Sequence, residues 1–108
     1  MSKKRPSVPF DATRREVLQD AQAAAAYLEE CLTDGDTELF TEALRHVADA
    51  RLGGMGALAD QTHLARETLY RTLSKRGNPR LDTLTKVLGA MGLRMTIAAD
   101  AGASNPVR

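Results

Sequence analysis

Residues 55–73, MGALADQTHLARETLYRTL, hold two short helical patterns separated only by a tight turn. The first, Met55 to Gln61, places Met55, Leu58 and Ala59 on one face. The second, Arg66 to Ser74, directs Leu69 and Leu73 inward at i, i+4 spacing. Its opposite side carries Arg66, Glu67, Tyr70, Arg71 and Ser74, which share a face because helical side chains repeat about every three to four residues. Composition agrees with a helical setting. Aromatic residues make up 4% of the chain and Trp is absent, so the core must come from Ala, Leu, Val and Met. Such residues favour packed helices over a sheet sandwich.

The 108 residues suffice for one small domain. We expect a flexible tail over 1–10, a single helical domain over 11–98 with the paired helices at about 55–74, and a second flexible tail over 99–108. Cys31 is the sole cysteine, which excludes an internal disulfide and fits a reducing cytoplasm. Charges interrupt every apolar window before it reaches the roughly 20 residues of a membrane span. The basic start, MSKKRPSVP, has no apolar stretch behind it and is not a secretory signal.

The formal net charge of +1 conceals a division. Between Asp11 and Ala50, Asp11, Glu16, Asp20, Glu29, Glu30, Asp34, Asp36, Glu38, Glu42 and Asp49 face only Arg14, Arg15 and Arg45. Between Arg51 and Ile97 the balance reverses: Arg51, Arg66, Arg71, Lys75, Arg76, Arg80, Lys86 and Arg94 face Asp60, Glu67 and Asp82. Two different partners, or one surface that avoids phosphate and one that seeks it, would explain this split, as would a chance imbalance on solvated faces.

Local signals place the remaining elements. A short helical turn is expected over Asp11–Leu18, and a firm helix over Ala21–Leu32, driven by Ala23 to Ala26. Gly35 suits the left-handed position after that helix, and Asp36 caps the next, over Thr37 to Ala50 or Arg51. Asp34 and Asp36 without further carboxylates make a poor metal site. Gly53 and Gly54 stop the third helix, and Gly54 opens the fourth. Their glycine-rich run lacks the Gly-Lys-Ser/Thr of a phosphate loop. Asp82 is expected to cap a last helix carrying Leu84, Val87, Leu88 and Met91. Leu93 to Ile97 alternates apolar and polar residues, the pattern of a short strand, and a lone strand would need a partner such as its copy in a second subunit. That strand and the helix from Asp82 are the candidate dimer surface.

Donors, an acceptor and a ring on the outer face of the second short helix suit the major groove of DNA; a solvated polar face is the ordinary alternative. Leu58-Ala59-Asp60-Gln61 through Arg66-Glu67-Thr68-Leu69, with Gly77-Asn78-Pro79 and Leu81-Asp82-Thr83-Leu84, resembles the λ-repressor-like (Xre/Cro) helix-turn-helix fold. From Phe10 to Ile97 the order and spacing are similar to addiction-module antidote proteins, the HigA-like antitoxins. The resemblance implies an all-α, λ-repressor-like domain with N-terminal helices and a short C-terminal strand. Two positions depart from it: where the family usually has Gly-Leu-Ser in the turn, this chain has His63-Leu64-Ala65. His63 must take the left-handed conformation, and Ala65 has no oxygen to cap the second helix.

On this reading a homodimer binds operator DNA at half-sites about one helical turn apart. Arg66 would grip guanine O6 and N7, Glu67 would accept from cytosine, and Tyr70 and Arg71 would reach bases or backbone one turn on. Gln61, Thr62, Thr68, Ser74, Lys75, Arg76 and Asn78 are candidates for phosphate contacts. The resemblance further implies autorepression and a cognate RelE/HigB-type toxin encoded in the same operon. Glu29, Glu30, Asp34, Glu38 and Glu42 are candidate toxin contacts or a plain solvated face. A stand-alone phage-type or metabolic repressor without a toxin is the alternative, and a protein-only helical adaptor a further one. No catalytic constellation, metal set or cofactor is expected, because paired carboxylates beside a histidine, ligand spacing and a nucleophile elbow are all missing.

Overall fold

The computed structural model describes residues 11–74 and 78–100. Among them lie six helices: α1 (Asp11–Leu18), α2 (Ala21–Thr33), α3 (Thr37–Leu52), α4 (Met55–Thr62), α5 (Arg66–Thr72) and α6 (Leu81–Ala90). The segment expected to make a helical turn forms a full helix, α1, anchored by a completely buried Leu18. Asp20 caps α2 by accepting from the Ala23 N–H at 2.9 Å, and Asp36 caps α3 by accepting from the Leu39 N–H at 3.2 Å. Gly35 follows α2 at φ +76. α3 stops at Gly53, whose φ of +97 lies in the left-handed region that an L side chain resists, and its N–H bonds back to the Ala48 and Asp49 carbonyls.

α3 is the axle of the molecule. It packs against α1 and α2 on one side and α4 on the other, while α4 carries α5 and α6. Phe40, Ala43, Leu44, Val47, Ala48 and Ala50 of α3 are buried, with Thr41 buried beside them and its hydroxyl satisfied by the Glu38 carbonyl at 3.0 Å. Leu58, Leu69, Leu73, Val87 and Met91 join the same core from the later helices. Among the described residues no buried side-chain nitrogen or oxygen lacks a hydrogen-bond partner, so polar chemistry must be sought at the surface.

Two expectations are corrected. Leu93 to Ile97 forms no strand: residues 93–100 have no regular structure, and Ile97 is fully exposed. The cause is physical. A strand needs a neighbour to take its backbone N–H and C=O groups, and every regular element among the described residues is a helix. The chain is therefore all-helical over those residues, without the terminal strand. Asp82 does not cap α6 either, because the helix begins two residues earlier than such a cap requires. Arg80 holds the N-cap position without a capping bond, and Asp82 sits in the first turn.

No helix among the described residues is long and apolar enough to cross a membrane.

Candidate nucleic-acid interface

α4 and α5 meet through three residues, and each has a distinct conformational task. His63 adopts φ +61, the left-handed geometry anticipated for it, and its N–H closes α4 on the Ala59 carbonyl at 2.9 Å. Leu64 packs on the core. Ala65 is extended at the N-cap of α5 and makes no side-chain cap, as its methyl group dictates. Thr62 braces the turn ahead of that uncapped end: its hydroxyl donates to the Leu58 carbonyl at 2.7 Å and accepts from the Leu64 N–H at 3.3 Å.

α5 divides cleanly. Leu69 and Leu73 are sealed in the core, and the Leu73 carbonyl accepts a hydrogen bond from Arg45 Nη1 of α3. Arg66, Glu67, Tyr70 and Arg71 face solvent, Tyr70 at 54% exposure. Other arginines are engaged with the protein: Arg15 pairs with Asp49 at 2.7 Å, Arg51 with two carbonyls and Arg80 with Asp82 at 3.2 Å. Arg66 and Arg71 make no such bond among the described residues.

The phosphate candidates separate by burial. Gln61 and Asn78 are exposed, while Thr68 and Ser74 are half-buried. Ser74 lies past the end of α5, and its hydroxyl donates to the Arg71 carbonyl at 2.8 Å. Thr62 is corrected: it is buried, with its hydroxyl committed at both ends to α4 and the turn, so it offers nothing to phosphate. Lys75 and Arg76 lie outside the described residues. The acidic candidates Glu29, Glu30, Asp34, Glu38 and Glu42 are all exposed on α2, α3 and the turn between them. Glu42 lies 3.7 Å from His46 Nε2, and the same ring shares a 2.9 Å hydrogen bond with the Tyr27 hydroxyl through Nδ1. Among the described residues no three His, Cys, Asp or Glu side chains gather as a metal set.

A protein-family model described as "probable addiction module antidote protein" matches residues 7–99. The chain belongs to that family. It is also 35% identical over 82 residues to a protein of Haemophilus influenzae (strain Rd) described as an uncharacterized protein, covering 76% of this chain and 82% of the relative. No solved structure matches significantly.

In this antidote-family chain, the exposed face of α5 was legible from periodicity. The contacts that tie the helix ends together were not. Arg45 and Arg51 read as ordinary charges in the sequence, yet each reaches a helix-end carbonyl far along the chain. No local pattern announces such a partner.

Proposed function

We propose that this chain is the antitoxin of a type II toxin–antitoxin module: a homodimeric, sequence-specific autorepressor that also binds and neutralises a RelE/HigB-type toxin. Membership of the antidote family supports the antitoxin role. The finer assignment to the Xre/Cro, HigA-like branch belongs to the same proposal. The observation that carries DNA binding is the outer face of α5, where Arg66, Glu67, Tyr70 and Arg71 are exposed above a wholly buried Leu69. A short helix held rigidly from below, with uncommitted guanidinium groups above, suits insertion into the major groove.

In this scheme Arg66 reads guanine through O6 and N7, and Glu67 accepts from a cytosine amino group while discouraging close phosphates. Tyr70 and Arg71 extend the contact by one turn. Gln61, Thr68, Ser74, Lys75, Arg76 and Asn78 fix the register on the backbone. A single such unit makes few contacts, so two copies bind two half-sites. The exposed carboxylates of α2 and α3 form the surface offered to a basic toxin, away from the phosphates. No step calls for a catalytic group or cofactor.

Selection of bound duplexes from a random pool by the purified protein tests this reading. A two-fold symmetric site is expected. Arg66→Ala should relax the preference at one base pair of each half-site and cost about 1–3 kcal/mol of binding. Selection of no sequence, or a site insensitive to Arg66→Ala, would overturn the assignment.

A further inference from the structure

Arg66 does not simply project from α5. Its guanidinium lies back over the first turn of α4, against Gly56. A β-carbon built on Gly56 would stand 3.2 Å from one terminal nitrogen of Arg66 and 3.6 Å from the guanidinium carbon. The first of these is tighter than ordinary van der Waals contact, so one group would have to yield. Gly56 sits in regular helical backbone, without the positive φ that demands glycine elsewhere in this chain. Glycine is also a poor choice there for helix stability. What its absent side chain supplies is room, and Arg66 uses it.

No hydrogen bond or ion pair among the described residues fixes the direction of Arg66, so the room left at Gly56 decides whether its planar fork can rest there. A bidentate grip on one base edge depends strongly on that direction. We infer that Gly56 is a specificity-determining position, which leaves the guanidinium of Arg66 free to take the orientation that meets its base pair. The inference rests on the DNA-reading role of α5 proposed above. Gly56 acts as a positioning residue: it leaves Arg66 its room and affects base choice through it.

Gly56→Ala tests the point because the fold should accept it. The obstructing atoms are the far end of a flexible side chain, which can swing away, and alanine is the better helix former. The variant should unfold at a urea concentration no lower than that of the wild type. Without DNA, the Arg66 Nε–H resonance should shift. On the duplex selected by the wild-type protein, discrimination at the Arg66-dependent base pair should fall roughly tenfold, within the range of coupling between residues in contact. In an Arg66→Ala background, Gly56→Ala should change discrimination no further.

Full discrimination in Gly56→Ala would overturn the inference and leave the role of Arg66 intact. So would an equal loss in both backgrounds, which would mean that the start of α4 meets DNA directly. A wild-type protein that selects no duplex would overturn the DNA reading and this inference together.

Discussion

Asp82 shows how a single exposed carboxylate acquires a preference for its charged form. Arg80 donates to it through Nε at 3.2 Å and Nη2 at 3.4 Å, and the Thr83 N–H adds a bond at 2.7 Å. These donors, Arg80 first, hold its carboxyl below the usual carboxylate range, against a smaller opposing effect of burial. The same pairing raises the Arg80 guanidinium above its ordinary value. Because the folded carboxyl titrates lower than the unfolded one, its contribution to stability is complete above the ordinary carboxylate range. That contribution disappears as pH falls through the lowered value. Titration followed by NMR should show Asp82 protonating below the usual carboxylate range, and Arg80→Ala should move it back toward that range. Both partners are well exposed, so the effect on stability should be slight.

The turn between α4 and α5 is built from substitutes. His63 occupies a left-handed position that glycine fills without strain. Ala65 occupies an N-cap that Ser, Thr, Asn or Asp would serve better. The backbone at Ala65 already has the extended geometry of a cap residue, so a hydroxyl there could accept from the first turn of α5 without rearrangement. Ala65→Ser is therefore expected to stabilise the protein by about 1 kcal/mol. Urea denaturation with an unchanged m value would verify it. A lower midpoint would show that the serine hydroxyl does not reach the first-turn N–H groups of α5.

At the scale of the whole molecule, Arg51 ties three elements together. From the last turn of α3 its Nε donates to the Met91 carbonyl after α6 at 2.7 Å, and its Nη1 donates to the Gln19 carbonyl after α1 at 2.5 Å. Gly92, at φ +82, leaves the space: a β-carbon there would stand 3.2 Å from Arg51 Nη2. A guanidinium suits this task because its donors diverge in one plane and its charge favours helix-end carbonyls. Arg51→Met keeps much of the aliphatic stem and removes both bonds. The expected loss is about 2 kcal/mol, in the range for hydrogen bonds to charged groups. It should appear as a lower urea midpoint, with the α6 amides losing most protection in hydrogen exchange.

Local physics made much of this chain legible before its fold was seen. Helical periodicity, the Asp36 cap, the glycine stops and the divided faces of α5 all depend on groups within about four residues of one another, and the order of residues states them directly. Tertiary structure decided whatever depends on a distant partner. Arg45 and Arg51 find their carbonyls 28 and 40 residues away. Thr62 is hidden by packing that no window around it describes. The alternation of Leu93 to Ile97 could propose a strand, but only a neighbouring edge could make one, and the packed helices provide none. Gly56 and Arg66 are ten positions apart on different helices, and the space they share exists only once the turn has folded one over the other.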